Sequence, residues 1–152
     1  YTAQAVRASQ AISKKKKLGD ISIKLTNDRN IQELNHQFRG KNKPTNVLSF
    51  PADNNPPRLR GGMGGKQSKG FPPSSPRKRG EYNYLGDIAI SLDTINREAV
   101  AQKKPVTHHF THMVVHSVLH LLGHDHEHDT DAESMEMLEI DILKQLGIAN
   151  PY

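Results

Sequence analysis

The chain has no cysteine and no tryptophan, and only 5% of its residues are aromatic. Without cysteine the protein can form neither a disulfide bond nor a thiolate metal site. It also lacks a long apolar run, because none approaches the roughly 20 residues that a membrane-spanning helix needs. We therefore expect no membrane partner. The absence of disulfides suits a reducing cytoplasm, which is the location that we predict.

The excess of basic residues is concentrated in one segment of the 152-residue chain, whose formal net charge is +5. Residues 53–80 hold seven Lys or Arg and one acidic residue, so the remainder has a net charge of −1. The overall charge is therefore weak evidence for nucleic-acid binding. Because Pro, Gly, Ser, Lys and Arg dominate 53–80, we expect a disordered insertion in a single domain over 1–152. The insertion is either a solvated tether or a flexible arm for RNA phosphates.

Outside the insertion, the hydrophobic pattern predicts alternating strands and helices. Strands are predicted for "DISIKLT", "TNVLSFP" and "YLGDIAISL", and residues 3–17 have helix-forming composition. Further helices are predicted for "NIQELNHQFRG", "DTINREAVAQKK", "THHFTHMVVHSVLHLLG" and "DAESMEMLEIDILKQLG". The interleaving favours a mixed sheet with helices packed on it. The expected N-terminal caps of three of these helices are Asn27 or Asp28, Asp93, and Thr130 with Glu133 as a capping box.

Six of the nine histidines lie within residues 112–128. His116 and His120 are four residues apart, so a helix brings both imidazoles to one face, where they can bind the same metal ion. Gly123 permits a sharp turn that can return a third histidine to the site. The spacing H-x-x-x-H-x-x-G-x-x-H selects His126 as that third ligand. Three protein ligands leave a fourth position open, which is typical of catalytic rather than structural zinc sites.

The other histidines of this region fit the pattern less well. His124 is too close to the turn to reach back over the helix, and His128 is expected to be solvated. His112 lies one turn before the pair, so we expect it either on the surface or behind the metal ligands. His36, His108 and His109 have no supporting pattern.

The spacing of the three histidines is shared with a large class of zinc peptidases, with one difference. Those enzymes carry Glu directly after the first histidine as the general base, and here that position is Ser117. A peptidase is therefore the least favoured function. A zinc site without a protein base is better matched to a negatively charged phosphodiester, which also needs a nearby Arg or Lys.

Three stretches, "HMVVHSVLHLLGHDH", "FRGKNKPTNVLSFP" and "LGDIAIS", together resemble the YbeY family of bacterial rRNA-maturation metallo-endoribonucleases. The resemblance covers residues from about 18 to 152 apart from the insertion. It implies an α+β, zincin-like fold, in which helices pack on a mixed four-stranded sheet and a central helix binds the metal. It also implies that His116, His120 and His126 are the zinc ligands, that Arg39 acts on the RNA, and that Ser117 replaces a usual Gly.

The function implied by the resemblance is endonucleolytic cleavage of single-stranded RNA. Its expected roles are 3′-end maturation of small-subunit (16S) rRNA and ribosome quality control. Its expected partners are rRNA, the small ribosomal subunit and the assembly factors of that subunit, and no DNA is expected. The expected cofactor is one zinc ion per chain, although an all-imidazole site also accepts nickel, cobalt or copper. The alternative function is a non-catalytic, zinc-stabilised ribosome assembly factor.

Several polar residues outside the histidine region are candidates for supporting roles. We expect His116 and Arg39 to act in catalysis, and Arg39, Lys41 and Lys43 to contact the RNA backbone. Five further residues have two roles that are about equally well supported. Thr45, Asn46 and Ser49 either line the cleft or are purely structural. Asp87 and Asp125 either orient a metal ligand or stabilise a turn.

Overall fold

The computed structural model describes residues 2–12, 19–52, 84–124 and 129–152. These residues form five helices and three strands. In chain order the elements are α1 (Thr2–Ile12), β1 (Asp20–Thr26), α2 (Asp28–Arg39), β2 (Val47–Pro51), β3 (Tyr84–Ser91), α3 (Leu92–Ala101), α4 (Val106–Leu121) and α5 (Asp129–Gln145). The predicted order of strands and helices is thereby confirmed over the described residues. The insertion at 53–80 and the lysines at 14–17 lie outside them.

The sheet is mixed, as predicted, and its strand order is β1-β3-β2. The central strand β3 runs parallel to β1, with Ile88 beside Ile23, and antiparallel to β2, with Ile88 beside Ser49. The described part of the chain contributes three strands to this sheet, and the fourth strand implied by the resemblance is not among them. The α+β class is confirmed.

The two faces of the sheet carry different helices. Successive side chains of a strand point to opposite faces. Ile88 and Ile90 pack into the larger core cluster together with residues of α4, whereas Ala89 packs with Leu48 of β2 and Ile31 of α2. Helix α2 therefore covers one face, and α4 lies against the other with α1 and α5 packed on it.

Helix α4 is the most deeply buried helix of the described chain. Ten of its 16 residues are buried, among them Val114, Val115, Val118 and Leu119, which are 0% exposed. The helix begins directly after Pro105, one residue before the predicted stretch. A helix that is buried on several sides needs apolar residues all around it, and most residues of α4 other than its histidines are apolar. The helix that carries the predicted metal ligands therefore lies in the core.

Two of the predicted helix caps needed correction. The side chain of Asn27 caps α2 by accepting from the backbone N–H of Asn30 at 2.9 Å, as predicted. The prediction for α3 was wrong, because Ser91 is its N-cap and Asp93 lies in the first turn. Helix α5 begins at Asp129, so Thr130 is inside the helix rather than at its N-cap.

Gly86 and Asp87 lie within strand β3 rather than in a turn. Gly86 has φ 147°, and a Cβ at this position would come within 2.2 Å of the Phe50 carbonyl oxygen. The same Cβ would come within 2.9 Å of Leu121, the last residue of α4. Glycine thus permits the close approach of β2, β3 and the end of the histidine helix. None of the helices in the described ranges is long and apolar enough to cross a membrane.

Candidate metal centre

The structure brings two of the predicted ligands together. His116 and His120 lie one turn apart near the C-terminal end of α4, and their ring centroids are 4.6 Å apart. The Nε2 atoms of the two rings face each other at 3.1 Å. The side chain of His116 is 26% exposed, so the pair borders solvent although its helix is buried.

The geometry of this pair fits a zinc ion. Two nitrogens bound to one tetrahedral zinc at about 2.0–2.1 Å lie about 3.3 Å from each other. The observed 3.1 Å is close to that distance, and it also allows one ring N–H to donate to the other ring. Neutral imidazole nitrogens are among the ligands that zinc prefers in proteins. The two side chains are therefore placed so that they could supply two of the four ligands of a tetrahedral zinc ion.

A buried carboxylate orients His116, the first of the predicted ligands. The Nδ1 atom of His116 lies 2.7 Å from Oε1 of Glu139 on α5, and the Glu139 side chain is 1% exposed. An ionised carboxylate only accepts hydrogen bonds, so His116 donates through Nδ1–H. In the neutral ring the Nε2 atom then carries the lone pair, and it faces His120. A carboxylate that fixes the tautomer of a ligating histidine in this way is a common feature of metal sites.

Glu139 accepts two more hydrogen bonds through its other oxygen. Nε2 of His112 lies 2.8 Å from Oε2, and the hydroxyl of Tyr152 donates to the same atom. Burial raises the pKa of the Glu139 carboxyl, but the hydrogen bonds from His112, His116 and Tyr152 outweigh it and hold the pKa at about 2. The pKa of the Tyr152 hydroxyl is raised by burial and by the adjacent carboxylate. Glu139 is therefore an anion in the folded protein at neutral pH.

The chain turns sharply after α4, as the third-ligand hypothesis requires. Gly123 has φ 85°, and its N–H donates to the carbonyl of His120 while that of His124 donates to Leu119. This is a Schellman motif, which reverses the chain at a helix end. His126, Asp125 and His128 lie outside the described residues. Within the described ranges no group of three His, Cys, Asp or Glu side chains forms a metal site, and a three-histidine site remains a prediction.

Sequence reasoning missed Glu139 and left His112 between two roles. His112 is buried, with a side chain 10% exposed, and it contacts the carboxylate behind His116 rather than the surface. Glu139 lies four residues after Met135 and three before Ile142, on the apolar stripe of α5. A single acidic residue on the apolar stripe of a helix is the signal that would have found it, because a buried carboxylate requires partners.

The predicted RNA-contacting residues lie in a different layer of the molecule. Arg39 is the last residue of α2, and Lys41 and Lys43 follow it; all three are exposed. Helix α2 packs on the sheet face opposite α4. On that face Phe38 contacts Phe50 of β2, with ring centroids 4.9 Å apart. The structure leaves the basic side chains open to a large partner, and their role toward RNA is still a prediction.

Two of the remaining supporting candidates, Asp87 and Asn46, make structural contacts. Asp87 accepts a hydrogen bond from the hydroxyl of Tyr84, so the carboxylate that orients His116 is Glu139 and not Asp87. Asn46 donates to Glu98 at 3.1 Å. Ser49 is two residues after Val47 on β2, so both side chains point to the same face of the sheet. Val47 belongs to the larger core cluster, so this face is the one that α4 covers. Thr45 is half-buried ahead of β2.

Glu98 also binds His109, which the sequence had left without a role. Nε2 of His109 lies 2.7 Å from Oε2 of Glu98, and the histidine side chain is 3% exposed. This second histidine–carboxylate pair ties α4 to α3. It lies on the part of α4 that precedes the ligand pair, so the structure uses the histidines of this helix both for packing and for the candidate metal centre.

These features define a class of protein: an α+β fold whose buried central helix presents a histidine pair supported by a carboxylate. Residues 1–147 match the model of the family described as Endoribonuclease YbeY. The chain belongs to the YbeY family, as the sequence motifs indicated.

Relatives and a solved structure are consistent with this membership. The chain is 42% identical over 149 residues to the Endoribonuclease YbeY of Chelativorans sp., covering 98% of this chain and 79% of the relative. It is 45% identical over 133 residues to that of Alteromonas mediterranea, covering 88% and 70%. The solution structure of TM1509 from Thermotoga maritima matches with a TM-score of 0.51 at 22% identity, covering 96% of this chain and 84% of that one. That last likeness shows the fold.

Proposed function

We propose that the protein is a zinc-dependent endoribonuclease that cleaves single-stranded RNA. The observation that carries this proposal is the pair of Nε2 atoms of His116 and His120, which face each other at 3.1 Å at a solvent-accessible position. The Nδ1 contact of His116 with Glu139 supports the same conclusion, because in the neutral ring it places the lone pair on the nitrogen that faces His120. The name of the curated relatives, Endoribonuclease YbeY, supplies the reaction.

In this proposal His116, His120 and His126 hold one zinc ion. When bound, zinc supplies Lewis acidity that activates water and polarises a phosphoryl oxygen. Glu139 keeps the ring of His116 in the ligating tautomer. Ser117 follows the first ligand where a peptidase has Glu, so no carboxylate next to that ligand serves as a peptidase base.

Binding of the RNA is assigned to the exposed basic residues around the end of α2. Arg39 pairs with a non-bridging phosphate oxygen through its planar guanidinium group, and Lys41 and Lys43 follow the backbone as mobile positive charges. Arg39 lies beside Phe38, whose contact with Phe50 links the end of α2 to β2. At Gly86, β2 and β3 approach the end of α4. An extended RNA strand is therefore the kind of substrate that contacts both the basic residues after α2 and the histidine pair of α4.

The proposed biological role follows from the family. We propose that the substrate is rRNA of the small ribosomal subunit, that cleavage matures its 3′ end and serves ribosome quality control, and that the enzyme works in the cytoplasm with assembly factors of that subunit. The fourth strand of the zincin-like sheet is also part of this proposal. All of these assignments rest on membership of the YbeY family rather than on a contact within the described chain.

The test measures zinc content and cleavage of single-stranded RNA on one preparation purified without a His tag. We expect His120→Ala to lose the metal and about 100-fold or more of the activity, and Arg39→Glu to keep the metal while losing activity. His36→Ala is the control, because His36 is exposed on α2 away from the pair. Chelation should abolish cleavage and added zinc should restore it.

Two results would contradict the proposal. Full RNA cleavage by His120→Ala would remove the metal ligand from the reaction. Purified protein that binds small ribosomal subunits and never cleaves RNA, with or without zinc, would favour a non-catalytic assembly factor instead.

A further inference from the structure

The segment after α5 returns to the candidate metal centre. Gly147, with φ 74°, ends the helix, and the N–H of Ile148 donates to the carbonyl of Leu143 in a second Schellman motif. Ile148 is 6% exposed and packs into the larger core cluster, so the segment is anchored at its beginning. The turn sends the chain back along α5, toward the position of Glu139.

Further contacts fix the end of this segment above α4. The side chain of Lys104 donates to the carbonyl of Pro151, and the backbone N–H of Tyr152 donates to Oδ1 of Asn150 at 3.0 Å. The Tyr152 ring meets the His112 ring edge to face, with centroids 5.5 Å apart and an interplanar angle of 84°. These contacts hold the phenol ring in one place, although Tyr152 as a residue is 61% exposed.

The Tyr152 hydroxyl acts on the carboxylate that orients a metal ligand. The terminal torsion of a Glu side chain is broad, so the plane of a carboxylate depends on the donors that surround its two oxygens. In Glu139, Oε1 meets His116 and Oε2 accepts from His112 and Tyr152. The two donors on Oε2 set the plane of the carboxylate. That plane determines the direction in which Oε1 meets the His116 ring.

We propose that Tyr152 is a positioning residue of the metal centre: its hydroxyl fixes the Glu139 carboxylate, and the carboxylate fixes the ring of His116 with Nε2 toward His120. Naming the metal as zinc rests on the proposed function, whereas the positioning of the His116 ring does not. The role belongs to the hydroxyl, so it is tested by a change that removes the hydroxyl and keeps the ring with its contact to His112.

The experiment compares Tyr152→Phe with Tyr84→Phe. The control removes the hydroxyl of another tyrosine that donates to a carboxylate, that of Asp87, which does not hold His116. Zinc affinity is measured by chelator competition on protein without a His tag. We expect Tyr152→Phe to bind zinc about three- to tenfold more weakly, as befits one hydrogen bond behind a ligand, and Tyr84→Phe to match the wild type.

A second readout uses the metal-free protein. The imidazole ¹⁵N and N–H resonances of His116 report which nitrogen carries the proton and how firmly it is held. We expect a single Nδ1–H form in the wild type and in Tyr84→Phe, and a second tautomer or faster proton exchange in Tyr152→Phe. Equilibrium unfolding of all three proteins separates a local effect on the site from general destabilisation.

The outcomes are distinct. A Tyr152→Phe protein with wild-type zinc affinity and unchanged His116 resonances overturns the positioning role. Weaker zinc binding that accompanies lower stability, with unchanged resonances, overturns it as well and makes Tyr152 a structural residue. If the wild type binds no zinc, the proposed function loses its metal, and the His116 resonances still decide whether Tyr152 positions the ring.

Discussion

Two carboxylates in this molecule make nearly the same set of contacts in very different surroundings. Asp28, at the start of α2, accepts from Ser91 and Thr94 at 2.6 Å through one oxygen and from Arg97 through the other. Glu139, in α5, accepts from His112 and Tyr152 through one oxygen and from His116 through the other. Each carboxylate thus has three side-chain donors, divided two and one between its oxygens.

The electrostatic result is also similar. For Asp28, burial raises the pKa, but the hydrogen bonds from Ser91, Thr94 and Arg97 outweigh it and hold the pKa at about 2. For Glu139 the same balance gives a pKa of about 2. Both groups are therefore anions in the folded protein at neutral pH, and each fastens one helix to elements distant from it in the sequence.

The difference lies in burial and in the chemistry of the donors. The side chain of Asp28 is 25% exposed and has a permanent cation, Arg97, as a partner. That of Glu139 is 1% exposed, and its partners in the described chain are two imidazoles and a phenol. A buried anion without a permanent cation is costly, and such groups are concentrated at functional sites. The comparison indicates that Asp28 stabilises the fold, whereas Glu139 fixes the ring of His116, as the proposed metal site requires.

The largest effect is expected from Glu139→Gln, which keeps the shape of the side chain and removes its charge. The amide presents a donor and a weaker acceptor to His116, so the ligating tautomer is no longer enforced. We expect zinc affinity to fall about 10- to 100-fold, the usual consequence of removing a group that orients a metal ligand. Chelator competition measures the change, and Glu133→Gln, an exposed change nearer the start of α5, is the control.

The opposite pattern would break the comparison. If Glu139→Gln lowered stability strongly and left zinc affinity unchanged, Glu139 would be a structural node like Asp28. Its burial would then reflect packing between α4 and α5 rather than preparation of a metal ligand.

A smaller effect, of a different kind, is expected from Asp28→Asn. This change weakens three hydrogen bonds to a charged acceptor and removes a favourable negative charge at the start of α2. We expect the free energy of unfolding to fall by about 1 to 2 kcal/mol, with zinc affinity within error of the wild type. Urea denaturation at neutral pH measures the first quantity. A change in zinc affinity would show that the two carboxylates are coupled.

The pH dependence sharpens the assignment of Asp28. Its pKa is lowered from 3.8 to about 2 on folding, so its contribution is fully present above pH 3.8 and is lost as the pH falls through about 2. The difference in unfolding free energy between the wild type and Asp28→Asn should therefore be constant at higher pH and shrink below pH 4. A difference that already declines between pH 7 and pH 5 would exclude the Asp28 carboxylate as its source.

Much of the fold could be predicted because it depends on local patterns. Alternating Ile21, Ile23 and Leu25 identified β1, and the positions of Gly40 and Gly123 identified where α2 and α4 end. The cap of α3 was misassigned because Ser91 and Asp93 are both good capping residues by type. Only the path of β3 into the helix decides that Asp93 lies in the first turn, where it accepts the N–H of Asp28.

The site was predicted less completely, for a physical reason. The i, i+4 spacing of His116 and His120 is a property of one helix and can be read from the sequence. The carboxylate behind them comes from α5, 23 residues further along, and its role depends on how α4 and α5 pack. Tertiary contacts of this kind have no local signature beyond a polar residue at a buried position, and Ser117 is another such residue.

The smallest effect is expected at Ser117, which lies on α4 between His116 and His120 in the sequence and is 0% exposed. Its hydroxyl has no hydrogen-bond partner among the described residues, whereas the carboxylates of Asp28 and Glu139 have three donors each. Replacing it by alanine removes an unsatisfied polar atom and improves helix propensity, so we expect Ser117→Ala to raise the free energy of unfolding by about 0.5 to 1 kcal/mol. Zinc affinity should not change. A loss of stability on urea denaturation would instead reveal a partner for the hydroxyl, and loss of RNA cleavage at unchanged zinc affinity would place Ser117 in the reaction.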